Sequence, residues 1–427
     1  MARSKYMIVL VFLTFFVMSL LTNILGPILP DIITSFHVSL TAAGFLAFAF
    51  FIAYGVMSIP AGFLMERFHE KPVMVWSFVV STLGALAFAL VPNYSVAFVS
   101  WFVIGAGMAV LQVVVNPLLR VAGGEEHYAF YSTLSQLVFG SASFISPRIY
   151  SYLVLNLSKP SIYGSMTREN ILLRTLRILT PEKLPWVSIY WIFTASSFVM
   201  VVWLFLSKFP KVERTEDERA GSWDMYLSLA RKRVVWLYFI AMFAYIGCEQ
   251  GTADWISKFL YTYHGFNPQT TGADAVSWFW GLLTAGCVVG MLLLKFFDSR
   301  KVLVGGAVGS LCCLTAALFG PAKVSLFAFP AVGLFTSVLW PIIISLALNS
   351  VTEHHGSFSG ILSTALMGGA IIPVVIGRIG DYAGLRSGMT FLYLTFGFVL
   401  SVGFWARPLI TNATIGDVKK GSTLAVV

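Results

Sequence analysis

The sequence predicts an all-α polytopic membrane protein with twelve transmembrane helices, arranged as two six-helix pseudo-symmetric halves. Apolar residues make up 58% of the 427 residues and charged residues only 11%, whereas a soluble domain carries about 25% charged residues. Apolar runs of about 20 residues, long enough to cross a bilayer core as helices, recur along the whole sequence. Short segments of alternating hydrophobicity, typical of a transmembrane β-barrel, are absent from it.

Turn and charge signals divide these runs into twelve predicted spans. The strings HEKP at 69–72, VPNY at 91–94 and GGEEH at 123–127 mark three of the divisions. The predicted spans cover 6–33, 40–66, 72–92, 95–121, 128–155, 186–208, 234–263, 271–297, 301–320, 324–350, 357–382 and 388–407. Of the two long connections, 156–185 is predicted to contain a short surface helix, and 209–233 is the one strongly charged stretch.

The basic residues predict the topology. Most of the 28 Lys and Arg residues fall at the two chain ends and in alternate loops. This bias predicts an inner-membrane protein with both termini in the cytoplasm, and the net charge of +9 is then not a nucleic-acid-binding surface. Residues 7–28 lack an A-x-A cleavage site and are predicted to be the first span rather than a signal peptide.

The two halves are related by a constant offset of 228 residues. It pairs similar residues at five places, namely Gly62 with Gly290, Arg67 with Lys295, Gly105 with Gly333, Phe130 with Phe358, and Gly140 with Gly368. Parallel repeats of this kind are typical of the major facilitator architecture. The predicted divisions are 1–208 and 234–408 for the halves, 209–233 for a cytoplasmic linker and 409–427 for a cytoplasmic tail.

Polar side chains at bilayer depth cost roughly 2.5–3.5 kcal/mol or more, so each one requires an explanation. The predicted spans of the first half contain Asn23, Gln112, Asn116 and Gln136. Gln112 and Asn116 are four residues apart and share a helix face. For each amide, a hydrogen bond between helices and a ligand contact remain alternative interpretations.

The seventh span contains Glu249, Gln250 and Asp254. Glu249 has no cation three or four residues away, which favours a functional role. Asp254 lies four residues before Lys258, so an ion pair within the helix is an alternative to function. Glu249 and Thr252 are predicted as a possible Na⁺ site, because oxygen ligands suit a hard cation.

Three further predictions concern other spans. Trp340, which precedes Pro341, is predicted to line the pathway, where its ring suits the C–H face of a sugar. Arg378 and Asp381 are predicted to form a structural ion pair. A cytoplasmic conformational latch is predicted at Gly62, Arg67, Lys71 and Lys295.

The residues 347–384, ALNSVTEHHGSFSGILSTALMGGAIIPVVIGRIGDYAG, resemble the fucose–proton symporter family of sugar permeases within the major facilitator superfamily. The late-helix pattern of that family matches Gly368, Gly369, Ile371, Pro373, Gly377 and Asp381. IPAGFLMERF at 59–68, the NP at 116–117, Gln136 and YIGCEQG at 245–251 also match. The resemblance runs from about residue 20 to 385 and implies cation-driven sugar uptake by alternating access.

Two departures from the family bear on that implication. The proton-coupled fucose permease has Asp at the position aligned with Gly26 and Glu at the position aligned with Gln112. Neither Gly nor Gln takes up a proton, so the family's coupling route does not transfer. The offset of 228 residues pairs Gly26 of the first span with Asp254 of the seventh. Coupling is therefore predicted to have moved to the seventh helix, with Glu249 as the first candidate and Asp254 as the second.

The prediction is a secondary active transporter that imports a hexose-like monosaccharide with Na⁺ or H⁺. Sugar would lie between Asn23, Gln112, Asn116 and Gln136 on one side and Glu249, Gln250 and Trp340 on the other. An exporter of amphipathic drugs or lipids and an uncoupled sugar facilitator remain alternatives. The six His and four Cys residues show no catalytic or metal-ligand spacing, so no enzyme, cofactor or metal centre is predicted. Expected partners are the sugar, the cation and the bilayer, and the expected state is a monomer.

Overall fold

The computed structural model describes residues 5–124, 128–159, 170–209, 223–351 and 355–409, and most of them are helical. These residues contain twelve helical spans, several of them interrupted. In chain order the spans are Lys5–Thr22 with Leu25–Phe36; Leu40–Phe68; Glu70–Leu90; Tyr94–Gly123; Tyr128–Leu157; Ser188–Leu206; Arg233–Ala253 with Ile256–His264; Ala273–Phe296; Ser299–Phe319; Ala322–Thr336 with Leu339–Leu348; His355–Thr364 with Gly368–Ala383; and Leu385–Met389 with Phe391–Trp405.

Eleven of these spans, within the described ranges, have the length and hydropathy to cross a membrane. The remaining one, the fifth span Tyr128–Leu157, has 30 residues but is diluted by hydroxyl and amide side chains. Part of that polarity is satisfied between helices, since Ser143 bonds to Ser19 and Asn23 of the first span. The predicted all-α fold is confirmed, and the predicted span boundaries hold to within a few residues.

The interruptions in the middle of spans were not predicted. Pro27 has no N–H, which leaves the carbonyl of Asn23 without its α-helical donor and breaks the first span at Asn23 and Ile24. Pro341 has the same effect on Ser337, whose carbonyl instead accepts from the Cys287 thiol at 3.7 Å. The seventh span breaks at Asp254 and Trp255 without a proline.

One close contact recurs at nearly the offset seen in the sequence. A Cβ atom built on Gly105 of the fourth span would lie 2.3 Å from the carbonyl oxygen of Phe50 in the second span. A Cβ atom on Gly333 of the tenth span would lie 2.3 Å from the carbonyl oxygen of Phe279 in the eighth. Small residues allow such close backbone approach in membranes. The repeated crossing supports the prediction of related halves.

We call the side of the spans that bears Lys5 and Trp405 the terminal side, and the other the opposite side. On the opposite side the first six spans pack closely against the last six. A Cβ atom on Gly26 would lie 2.3 Å from the carbonyl oxygen of Ala253, and one on Gly377 would lie 2.5 Å from that of Leu40. The first and seventh spans and the second and eleventh spans therefore meet backbone to backbone there.

Three polar contacts, here called the polar gate, join the same two sets of spans on the opposite side. Asp381 of the eleventh span accepts hydrogen bonds from the backbone N–H groups of Leu40 at 2.8 Å and Thr41 at 2.9 Å. The side-chain amide of Gln269 donates to Asp31 at 3.0 Å. The third contact is an ion pair between Arg148 and Asp274 at 3.4 Å.

The predicted ion pair between Arg378 and Asp381 is wrong. The guanidinium of Arg378 lies 4.7 Å from the ring centroid of Tyr382. The carboxylate of Asp381 instead caps the first turn of the second span, where backbone N–H groups have no partner within their own helix and the helix dipole favours negative charge.

The fifth and eighth spans separate toward the terminal side. Gly140 and Phe144 pack against Thr284 and Gly281. One turn nearer the terminal side, on the same helix faces, Gln136 and Val288 are both exposed. The two sets of spans are therefore closed together on the opposite side, and the fifth and eighth spans diverge on the terminal side.

Two connecting segments are described only in part. The predicted surface helix between the fifth and sixth spans is confirmed as Ile171–Leu179. In the predicted linker 209–233, a helix covers Trp223–Ala230, while 210–222 lie outside the described residues. The predicted tail from 410 to 427 lies outside them as well.

Candidate functional site

The seventh span presents several polar side chains in the interior of the described chain. Tyr245 and Glu249 are four residues apart, hence on one helix face, and the Tyr245 hydroxyl donates to one carboxylate oxygen of Glu249. The side-chain amide of Gln250 donates to the other oxygen at 3.3 Å. The spacing of basic residues leaves Glu249 without a partner on its own helix, whereas the partner in the structure is a neutral tyrosine hydroxyl one turn earlier. Glu249 thus has two neutral donors and keeps partial solvent access.

An aromatic surface adjoins this carboxylate. The ring centroid of Trp340 lies 5.9 Å from that of Tyr245. Trp340 is half-buried at the start of Leu339–Leu348, just after the break made by Pro341. The predicted residues Glu249, Gln250 and Trp340 are therefore brought together, with Tyr245 between them.

Gln250 lies where three spans meet. Its side chain is 5% exposed, and its Cγ lies 3.1 Å from the position of a Cβ on Gly369 of the eleventh span. The ring of Phe51, from the second span, lies 3.0 Å from the same position. Movement between the first six and last six spans therefore changes the surroundings of Gln250 directly.

The amides of the first six spans lie in three places. Asn23 is 5% exposed and donates to the Ser143 hydroxyl at 2.7 Å, while its Oδ1 atom has no hydrogen-bond donor. Gln112 and Asn116 are half-buried, and the Asn116 amide donates weakly to the Gln112 carbonyl at 3.4 Å. Gln136 is exposed on the face of the fifth span that approaches the eighth.

Asp254 does not form the ion pair with Lys258 that the sequence allowed. The helix breaks between the two residues, and the Lys258 ammonium lies 5.4 Å from the ring centroid of Tyr261. Asp254 is 5% exposed, and its Oδ2 atom is buried without a hydrogen-bond partner. Thr252 is fully buried and donates to the Cys248 carbonyl at 2.7 Å, so its hydroxyl bonds within its own helix rather than to Glu249.

The four residues of the predicted latch lie at or near the terminal side. Lys71 donates to the carbonyl of Ser207 at 2.8 Å, at the end of the sixth span. The Arg67 guanidinium lies 5.3 Å from the ring centroid of Phe68, and Lys295 is exposed near the end of the eighth span. Gly62 is half-buried in the second span. Lys71 thus fastens the third span to the sixth.

The described part of the chain contains no group of three or more His, Cys, Asp or Glu side chains that could hold a metal ion. The arrangement instead consists of amides, one accessible carboxylate and two aromatic rings. Such groups bind neutral hydroxyl-rich molecules, because amides and carboxylates pair with hydroxyl groups and rings cover C–H faces.

Comparison with known proteins gives a consistent result. The model of the Major Facilitator Superfamily matches residues 11–373. A glucose/galactose transporter of Brucella abortus is 27% identical over 400 residues, covering 92% of each chain. The L-fucose-proton symporter of Escherichia coli is 27% identical over 383 residues, covering 87% of this chain and 86% of that protein.

Solved structures show the same fold. The fucose:proton symporter of Escherichia coli in its outward conformation matches with a TM-score of 0.67 at 23% identity, covering 94% of this chain and 99% of that one. A bacterial homologue of the human lysosomal transporter Spinster, inward-facing and occupied, matches with a TM-score of 0.77 at 13% identity, covering 95% and 97%. The resemblance inferred from the sequence motifs is confirmed.

Proposed function

The chain belongs to the Major Facilitator Superfamily, and we propose on that premise that it imports a monosaccharide across the cell inner membrane by alternating access. Relatives named as glucose/galactose and L-fucose transporters support this substrate class. A pyranose presents hydroxyl groups around its edge and C–H bonds on its faces. It therefore suits a site that combines amides, a carboxylate and aromatic rings.

The observation that carries the proposal is the partial exposure of polar side chains in the middle of apolar spans. Gln112, Asn116 and Glu249 are half-buried, and Gln136 is exposed. Facing lipid there would cost each group several kcal/mol, so an aqueous pathway between the two sets of spans explains the exposure. Sugar would bind in this pathway, between these amides and Asn23 on one side and Glu249, Gln250 and Trp340 on the other.

The charge distribution supports a cytoplasmic terminal side. Described basic residues there include Arg67, Lys71, Arg120, Lys295 and Lys301, as the positive-inside rule requires. With this orientation, the contacts of the opposite side seal the outer face and the diverging fifth and eighth spans open inward. The structure is then the inward-facing state of an importer.

We also propose that spans one to six and seven to twelve move as two halves. Breaking the polar gate would allow the outer side to open while the terminal side closes. Arg67, Lys71, Gly62 and Lys295 then form the cytoplasmic latch of the closed state. Cation coupling, to Na⁺ or H⁺, would use an acidic residue of the seventh span, because Glu249 and Asp254 are the acids nearest the middle of the pathway.

Exchange transport tests the sugar proposal without assuming a coupling ion. Purified protein in liposomes preloaded with unlabelled glucose, galactose or L-fucose is expected to take up the same labelled sugar by exchange. Glu249→Gln keeps the shape but removes the charged acceptor, and hydrogen bonds to charged groups contribute about 1.5–3 kcal/mol. The half-saturation concentration of the sugar should therefore rise roughly tenfold or more.

Glu182→Gln is the matched control, because Glu182 is exposed in the connection before the sixth span. This variant should exchange sugar like the wild type. Absence of exchange for all three sugars in the wild type, with the protein monodisperse and folded, would refute the proposed substrate class.

A further inference from the structure

Two buried oxygen atoms without hydrogen-bond donors lie on the two spans that cross on the opposite side. Asn23 Oδ1 belongs to the first span and Asp254 Oδ2 to the seventh, and both side chains are 5% exposed. A buried acceptor without a partner is unfavourable, and more so when it is charged. Two such acceptors on facing spans suit a positively charged ligand.

The crossing of the two spans brings these residues close. A Cβ atom on Gly26 would lie 2.3 Å from the Ala253 carbonyl oxygen and 3.3 Å from the Asp254 Cα atom. Asn23 is one turn before Gly26, toward the terminal side. A helical side chain is tilted toward the start of its helix, so the carboxyl of Asp254 is directed toward the level of Asn23. Pro27 also deprives the Asn23 carbonyl of its usual donor.

The charged groups around this crossing have other partners. On the seventh span, Glu249 accepts from Tyr245 and Gln250, and the Lys258 ammonium faces the Tyr261 ring. On the first span, Asp31 accepts from Tyr150 of the fifth span and Gln269.

The other packed elements place no free cation at the crossing among the described residues. On the eighth span, Asp274 pairs with Arg148 of the fifth. The Cys248 thiol donates to Thr395 of the twelfth at 3.0 Å, and the eleventh span places Ile372 and Ile376 against Gly247 and Gly251.

We propose that Asp254 and Asn23 bind the coupling cation, a proton or Na⁺, at the crossing of the first and seventh spans, while Glu249 binds the sugar. This inference rests on the proposed sugar transport. It assigns its two acids to different tasks and moves Asn23 from the sugar site to the cation site. Glu249 has two donors that orient its carboxyl group, and its oxygens remain able to accept hydrogen bonds from sugar hydroxyls. Asp254 Oδ2 has no donor, and its span crosses the one that carries Asn23. One proton shared between the two oxygens, or one Na⁺ bound by them and the Ala253 carbonyl, would satisfy both.

The position of the site explains how cation binding would drive transport. Its oxygens come from both sets of spans, and opening the opposite side would separate them. The cation therefore binds more tightly when that side is closed, and a ligand shifts a conformational equilibrium by its difference in affinity between the states. Cation binding from outside would favour closure of the outer side behind the sugar.

The test separates exchange from accumulation in the same liposomes. Sugar exchange without any gradient and sugar accumulation under an imposed Na⁺ gradient or pH gradient are measured for wild type, Asp254→Asn and the surface control Glu182→Gln. Asp254→Asn should abolish gradient-driven accumulation, so that internal sugar only reaches the outside concentration. It should still exchange labelled for unlabelled sugar, because exchange needs no net movement of the cation. Glu182→Gln should accumulate and exchange like the wild type.

A second measurement needs no sugar. The melting temperature of the purified protein is followed while NaCl replaces choline chloride, and separately while pH is lowered without Na⁺. Whichever cation drives accumulation should stabilise the wild type, because a ligand of the folded state raises its stability. Asp254→Asn should lose that response while Glu249→Gln keeps it.

Accumulation by Asp254→Asn at the wild-type level would overturn the assignment, as would exchange by the wild type with no accumulation under either gradient. In both outcomes the proposed sugar transport still stands. Failure of the wild type to exchange any of the three sugars would instead refute the proposed function itself. The Na⁺ and pH arms decide which cation is used.

Discussion

Replacing Asp381 with Ala should shift the protein toward the state that is open on the opposite side. The carboxylate accepts hydrogen bonds from the Leu40 and Thr41 N–H groups and the Thr41 hydroxyl, and these bonds join the eleventh span to the second only while that side is closed. Loss of a helix cap costs about 0.5–2 kcal/mol, and loss of a charge at a helix N-terminus about 0.3–1 kcal/mol.

The contact is solvent-exposed, so the lower part of these ranges applies, and about 1–2 kcal/mol is a suitable estimate for the closed state. A change of this size alters an equilibrium constant about 5- to 30-fold. The ratio of open to closed protein should rise by that factor, since the open state never makes these bonds.

Spin labels on cysteines at Ser95 and Lys323 would measure the change, because both residues are exposed at the opposite-side starts of the fourth and tenth spans. The four native cysteines are unpaired and would first be replaced. Double electron–electron resonance should show a larger fraction of long distances in Asp381→Ala than in the parent protein.

Asp298→Ala is the matched control. Asp298 caps the ninth span by accepting from the backbone of Arg300 at 2.9 Å, within the last six spans. The Asp298→Ala substitution removes a helix cap of similar energy without breaking a contact between the two sets of spans. The thermal stability of the protein should therefore fall while the distribution of spin-label distances stays constant. An unchanged distribution in Asp381→Ala would refute the assignment of this contact to the gate.

Two more substitutions test the crossing and the sugar site. Gly26→Ala should slow sugar exchange at least about tenfold, because its methyl group would lie 2.3 Å from the Ala253 carbonyl and oppose closure of the opposite side. Gly305→Ala, with no heavy atom within 4 Å of the new Cβ, should exchange normally. Equal rates for the two variants would contradict the close crossing. Tyr245→Phe removes the hydroxyl donor to Glu249 and should weaken sugar affinity roughly tenfold, as judged by half-saturation of exchange. Phe239→Leu, on a half-buried ring nearer the terminal side of the same helix, serves as its control. An unchanged affinity in Tyr245→Phe would exclude a role for the Tyr245 hydroxyl in sugar binding.

The twelve spans could be predicted because each is encoded locally, by apolar length and by the turns that bound it. The interruption of the first span also has a local cause, since Pro27 removes one hydrogen bond of the helix. The break at Asp254 has no such signal. It lies where the Ala253 carbonyl meets Gly26, and that contact joins residues more than two hundred positions apart.

Part of the candidate site could also be predicted, because some of its residues carry a local signal in the sequence. Glu249, Gln250 and Trp340 were found because polar and aromatic residues stand out in apolar helices. The partners that define their roles were missed: Tyr245 resembles other interfacial tyrosines, and Ser143 resembles any small residue of a membrane helix. The sequence predicts a pair between Asp381 and Arg378 because their spacing along one helix can be read from it. It does not show that the start of the second span lies beside Asp381 in the fold.

The capping of the second span by Asp381 also has a consequence for sequence variation. Two of the three donors to its carboxylate are main-chain N–H groups, which every residue except proline supplies. A non-proline residue at position 40 therefore keeps this bond, although the Leu40 side chain also packs against Gly380. A substitution at position 41 loses only the hydroxyl contribution. Position 381 must keep a short acidic side chain. The tolerance of these hydrogen bonds to substitution is thus unequal, and a deep mutational scan should find it narrow at position 381 and wide at position 41.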